Sequence, residues 1–311
     1  MPKLPCTLCG IRKSSRFCPL ENGASICSQC CAKKRSLACG ECRFYLEAEN
    51  YAIERFKSTG KHPFTLDMRY IEDILAILEL LKKEDCLAEC EKRLAKLASL
   101  IPNSHLFHYV CGTFSSLKKD YNTSLFHYNR SIELFPYFIH GWFDKGVTFE
   151  RICEVGAMVQ AWNMVKRLTK PEHELHQLVK KNLAEIEAET LQKSNQTLAE
   201  VIECEKIYKT ALDQMFAGNL DSALTGFEKI IKSNPMHAQS HGNTGVCHAL
   251  AGRKEQAVAA LKKALEIDPD YQPARQNLRY VQALKPGELL SRVQMADPIE
   301  YYKDRFQVNH M

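Results

Sequence analysis

Two late segments of the chain, Cys204–His237 and Ala238–Tyr271, align without a gap at a spacing of 34 residues. The first carries Ala211, Gly218, Ala223, Phe227 and Pro235. The second carries Gly245, Gly252, Ala257, Leu261, Ala264 and Pro269. This periodicity constrains the fold strongly, because a chain repeating at such a period is assembled from units that each leave an apolar face for the next to cover. Apolar residues at helical spacing, small residues where two helices must touch, Gly at a tight turn and Pro after the last helix describe a helical hairpin. Weaker copies precede these two. Pro102 and Pro136 lie 34 apart, as do Gly112 and Gly146. The copy at His105–Phe138 keeps Gly112, Tyr128 and Pro136. The copy at Ile139–Glu172 keeps Trp142, Gly146, Phe149 and Trp162, with its proline displaced by one to Pro171. A more degenerate hairpin is expected over Ile71–Ser104.

These residues resemble the tetratricopeptide repeat (TPR), over a stretch from about residue 71 to 284. The resemblance implies an all-α fold, a solenoid of about five helical hairpins whose concave groove takes a protein or peptide partner. It also implies the groove lining: Tyr208, Lys209, Leu212, Met215 and Phe216 in one copy, Asn243 and Val246 in the next, and Asn277 one step further. Asn243 and Asn277 are similar to the asparagine ladder that holds a peptide backbone in some family members, a solvated role being the alternative. Gly242 and Ala249 are small, so an apolar side chain of the ligand is expected beside Phe216. Between residues 172 and 203 the pattern lapses. An irregular hairpin is expected there, with Thr197 as an N-cap. The stretch after Tyr271 reads as a capping helix. The tail, 285–311, offers Tyr301, Tyr302 and Phe306 as an internal occupant of the same groove.

The other constraint is at the opposite end. Eight of the fourteen cysteines fall within the first 42 residues: Cys6, Cys9, Cys18, Cys27, Cys30, Cys31, Cys39 and Cys42. Three C-x2-C pairs among them are knuckles that aim two sulfurs at one ion, and so short a segment has no apolar core of its own. Eight thiolates suffice for two four-sulfur sites, so two zinc ions are expected in a treble-clef or cross-brace type of module over residues 1–43. Which cysteines share an ion, and whether one or two ions bind, is open. The outer knuckles are also similar to rubredoxin, which binds one iron, but the match stops at Cys6, Cys9, Cys39 and Cys42. A RING pattern would need a histidine, and the block has none. Glu21-Asn-Gly23 reads as a hairpin turn. Residues 44–63 read as a connecting helix ending at Gly60, and 64–171, 172–203 and 204–284 as successive parts of the array.

Residues 1–43 carry eight Lys and Arg against two Glu, whereas the remainder is close to neutral. Arg12, Lys13, Arg16, Lys33, Lys34 and Arg35 could contact phosphates, yet zinc–thiolate centres are themselves anionic and call for neighbouring cations. Nucleic acid is therefore the less favoured partner, and a thiolate-based redox or metal sensor is a third reading of the same site. No GxSxG, Walker or GxGxxG motif is present, and His173 with His176 has the wrong spacing for a metalloprotease helix. Cys86, Cys90, Cys111 and Cys247 are expected to pack inside helices. The expectation is a non-enzymatic adaptor. No run of 18 apolar residues occurs, and the opening MPKLPC has no apolar signal stretch, so a cytoplasmic protein without a membrane span is expected.

Overall fold

The computed structural model describes residues 4–34, 37–39, 42–83 and 86–285. The chain divides into two compact units, residues 1–65 with 167–170, and residues 66–166 with 171–311.

The first unit opens with a knuckle. The Cys6 amide donates to the Arg12 carbonyl at 2.7 Å, and the Gly10 amide to the Cys6 carbonyl at 2.8 Å. Gly10 turns the chain at φ 65, a conformation that favours glycine. Strands β1 (Arg16–Cys18) and β2 (Ala24–Ile26) pair antiparallel, with Phe17 opposite Ser25. The expected turn closes them, Asn22 and Gly23 both at positive φ. Helix α1 (Ser28–Lys34) follows, and α2 (Arg43–Thr59) stops at left-handed Gly60. The core of the hairpin and α1 is mostly sulfur: Cys6, Ile26 and Cys27 are buried, with Cys9, Cys18, Cys30 and Cys31 packed beside them. One isoleucine cannot offset the entropy of ordering such a segment.

The second unit is an α-solenoid. Its hairpins are α3 (Ile71–Leu80) with α4 (Leu87–Ala98), α5 (His105–Leu117) with α6 (Tyr121–Leu134), and α7 (Ile139–Arg151) with α8 (Val155–Leu168). Then come α9 (Glu174–Ser194), α10 (Leu198–Ala217) with α11 (Leu220–Ser233), α12 (Ala238–Leu250) with α13 (Lys254–Ile267), and α14 (Gln272–Ala283), the last helix among the described residues. In the α5–α6, α7–α8 and α12–α13 hairpins the small residue of the first helix meets the large one of the second. A Cβ on Gly112 would stand 2.7 Å from the Tyr128 ring, and one on Gly245 2.6 Å from Leu261.

A second device joins successive copies. Four residues into each first helix, a side-chain nitrogen reaches the carbonyl of the proline that ended the preceding hairpin. His108 meets Pro102 at 2.9 Å, Trp142 donates to Pro136 at 2.8 Å, and His241 meets Pro235 at 3.0 Å, while Arg275 donates to Pro269. Gln177 makes the same contact to Pro171, so α9 is seated as a first helix although its consensus residues are gone.

Residues 172–203 lack the repeat consensus and are helical for most of their length. They form one 21-residue helix, α9, and the opening turns of α10. Thr197 caps α10 as expected, in a reciprocal capping box with Glu200. That box starts the helix six residues ahead of the repeat alignment. Tyr301, Tyr302 and Phe306 lie outside the described residues.

Candidate functional site

Cys6 and Cys9 come from the knuckle, Cys27 from the end of β2 and Cys30 from the first turn of α1. Their four sulfurs lie within 4.8 Å of one another. Cys9 and Cys27 are 4.0 Å apart. Tetrahedral zinc with Zn–S near 2.3 Å sets sulfurs about 3.8 Å apart, so the set has the reach of such a site. Among the described residues this is the one group of three or more Cys, His, Asp or Glu donors gathered so closely.

The electrostatics fit a cation. Burial alone would raise the Cys6 thiol, but backbone amides of Cys27, Cys9 and Leu8 aimed at its sulfur bring it down to about 6. The Cys30 amide, which donates to the Cys27 sulfur at 3.5 Å, lowers Cys27 likewise. Cys30 goes the other way, pushed up to about 12 by its contact with Cys27 and by burial. The first thiolates form readily and the last is opposed by those already present. A divalent cation removes that opposition.

Cys18, Cys31, Cys39 and Cys42 are not in this cluster. All four stand in the wall of a separate cavity of about 290 Å³. Arg16, one of the basic residues of the block, donates to the Cys31 sulfur at 3.3 Å and lies over the Phe44 ring at 4.8 Å. Its charge serves a sulfur.

The eight groove residues separate into two groups. Leu212, Met215, Asn243, Val246 and Asn277 are buried, at 4% exposure or less. Tyr208 is half-buried, whereas Lys209 and Phe216 are exposed. Asn243 donates its amide to the Tyr208 hydroxyl at 2.8 Å, between one copy and the next, so this rung is an inter-repeat contact. The space expected over Gly242 is filled by Tyr271, whose ring lies 2.9 Å from where a Cβ would stand. Ala249 is in the core. Lys209 pairs with Glu205 at 2.9 Å and with Glu154 in the preceding hairpin. Burial pulls its ammonium down, but the two carboxylates outweigh this and raise it.

Sequence reading missed an earlier relative of the Asn243 contact. The Tyr109 hydroxyl donates to Asp144 at 2.7 Å, with the same separation of 35 residues as Tyr208 and Asn243. A tyrosine 35 residues ahead of a short polar residue was the available signal. Three of the other cysteines pack as expected, and Cys86, which precedes α4, is half-buried. Cys90, Cys111 and Cys247 are buried, and burial pushes the Cys111 and Cys247 thiols up to about 12. His173 is an N-cap, accepting from the Leu175 amide at 3.2 Å. No helix among the described residues is long and apolar enough to cross a membrane.

Residues 208–271 match the tetratricopeptide repeat family model. Similar solved structures include the TPR domain of P58(IPK), 17% identical with a TM-score of 0.36, covering 67% of this chain and 55% of that one. The chain thus spans about half of that structure. YrrB, described as a TPR protein with an unusual peptide-binding site, is 19% identical with a TM-score of 0.30, over 61% of this chain and 98% of that one. The TPR2AB domain of yeast Sti1, in its pHSP90 complex, is 15% identical with a TM-score of 0.32, over 68% and 82% respectively.

Proposed function

We propose that the chain is a non-enzymatic adaptor that binds a protein or peptide on its repeat array and carries a zinc-stabilised module over residues 1–43. The repeat segment 208–271 supports the first half of this reading, since its hairpins leave Phe216 half exposed at the end of a first helix while their cores are filled. An exposed aromatic among satisfied neighbours is the kind of anchor on which peptide recognition depends. Lys209 and Tyr208 flank it on the same helix. Buried Asn243 acts as a repeat-to-repeat tie in this reading, and the partner contacts the exposed residues.

The four gathered sulfurs carry the second half. A closed four-thiolate site has no open position for substrate, and its metal contributes folding energy. Cys6, Cys9, Cys27 and Cys30 would hold the ion. The amides at Cys6 and Cys27 then stabilise thiolate, and Ile26 keeps water from one side.

Selection of a displayed peptide library against the full chain tests the adaptor reading. Enriched peptides should carry a large apolar residue and lose at least tenfold in affinity to the Phe216→Ala variant. Saturable binding that is indifferent to Phe216, or no enrichment at all, overturns it. Deleting residues 286–311 separates an internal occupant from a free groove, because removal of an occupant raises affinity.

A further inference from the structure

The geometry points to a second metal ion, held by Cys18, Cys31, Cys39 and Cys42 and separate from the first. This extends the zinc reading of the Cys6 cluster.

The eight cysteines are divided by position. Four converge on one point, and each of the remaining four lines the same neighbouring cavity of about 290 Å³. The division follows from the backbone. Cys30 and Cys31 are consecutive on α1, and successive helical residues are turned by about 100°, so one helix presents sulfurs to two different sides. Cys18 ends β1 on the strand that runs beside the first site. Cys39 closes a short 3₁₀ turn, Leu37–Cys39, and the Cys42 amide donates to the Cys39 carbonyl at 3.0 Å. That is a third knuckle, set at the start of α2. Along the chain the two sets interleave: the first and second C-x2-C pairs serve one ion, and Cys18, Cys31 and the third pair serve the other.

The cavity has the chemistry for a soft divalent cation. Its donors are four sulfurs with no histidine, a set that favours tetrahedral zinc. Phe17, Leu20, Phe44 and Tyr45 supply an apolar surround. Four thiolates around a divalent ion leave a charge of about −2, and cations stand at the wall to meet it. Arg16 already donates to Cys31, and Lys34 lines the cavity in an ion pair with Glu21. An ion here would bridge the hairpin and α1 to the first turn of α2, a link that the small apolar core does not provide.

The test uses the full chain, purified anaerobically with zinc. Elemental analysis should find about two zinc per chain, and the Cys18→Ser/Cys39→Ser variant about one. Iodoacetamide mapping of the native protein by peptide mass should find all eight N-terminal cysteines protected. On chelation all eight become reactive. The mapping needs no substitution, so it decides the matter if the variant does not fold. One zinc per chain, with Cys18, Cys31, Cys39 and Cys42 alkylated and Cys6, Cys9, Cys27 and Cys30 protected, overturns the second site and leaves the first standing. Absence of zinc with all eight reactive overturns both. A disulfide within the second set in the anaerobic protein also overturns it.

Discussion

The Tyr208 hydroxyl and the Asn243 amide meet at 2.8 Å across two repeats, and Asn243 itself is 1% exposed. The asparagine side-chain oxygen has no hydrogen-bond partner among the described residues. The tyrosine contact therefore satisfies the polar end of a buried amide that has little else. Tyr208→Phe keeps the ring, which packs edge-on against Phe227, and removes the acceptor. A buried donor left unmade costs about 1–3 kcal/mol. Urea unfolding should show that loss. An unchanged midpoint would mean that water takes over the contact.

The corresponding pair earlier in the array, Tyr109 and Asp144, places a carboxyl where the later one has an amide. Burial raises the Asp144 carboxyl above its ordinary value, while the Tyr109 hydroxyl and the charges of His140 and Arg151 pull it back. A raised folded value means that the charged form is disfavoured above it, with relief as pH falls toward the unfolded value. Asp144→Asn keeps an acceptor for Tyr109 and has no charge to desolvate. The variant should be more stable than the parent at pH 7, with the gain shrinking progressively toward pH 4. Thermal melts across that range check it, and a gain constant with pH would exclude the charge as its source.

Much of the array was legible because its partners lie within one repeat. Gly112 with Tyr128 and Gly146 with Trp162 are sixteen residues apart in the same hairpin, so a single period exposes both. The setting of Asn243 was not legible, for the opposite reason. Its side chain is covered by Tyr208 of the preceding copy and Gly242 beside it by Tyr271, and neither follows from the pattern inside one repeat. Likewise C-x2-C spacing declares metal chemistry but is silent on which pairs converge, because that depends on which face of α1 each of Cys30 and Cys31 occupies. The helical run from Thr197 shows a third limit: a repeat alignment fixes register, and a capping box fixes where the helix begins.

Gly146→Ala should be among the most damaging small substitutions in the chain. The added Cβ would fall 2.2 Å from Trp162, which is fully buried and donates its ring N–H to the Phe143 carbonyl at 3.1 Å. The indole cannot retreat without breaking that bond and disturbing Met158 and Val165 in the same cluster. Overpacking of this kind costs roughly 1–3 kcal/mol. Gly156→Ala is the control, since its nearest neighbour, the Glu205 carboxylate at 3.1 Å, is the far end of a long side chain and not a buried ring. Equal melting temperatures for the two variants would contradict the packing.

Chelation should unfold the cysteine module selectively. The repeat array has its own apolar clusters, whereas the hairpin and α1 rest on Ile26 and sulfur. Excess chelator is expected to leave most of the helical circular dichroism intact while Cys6 and Cys27 become reactive to alkylation. Because zinc competes with protons for thiolates, metal loss should also occur on acidification alone. A proportionate fall in helical signal across the chain would show that the two units do not fold separately.

The same acid range acts on the array through His237. Its Nδ1 accepts the Ser240 amide at 3.2 Å and lies 2.8 Å from the Ser240 hydroxyl, capping α12. Burial, reinforced by the charge of His241, lowers it from 6.5 to about 4. In the window between those values the unfolded chain takes up a proton and the folded chain does not. The contribution is thus complete above pH 6.5 and is lost as pH falls toward 4. Protonation would also turn the capping acceptor into a donor facing an N–H. Asparagine caps a helix without titrating, so His237→Asn should match the parent at pH 7 to within about 1 kcal/mol. By pH 4.5 it should retain on the order of 2 kcal/mol that the parent has lost. His108, His127 and His248 are lowered by burial as well, so the variant keeps part of the slope. Stability curves measured by urea unfolding from pH 7.5 to 4.5 decide the matter: curves that run parallel throughout would remove His237 from the acid response and leave it as a cap alone.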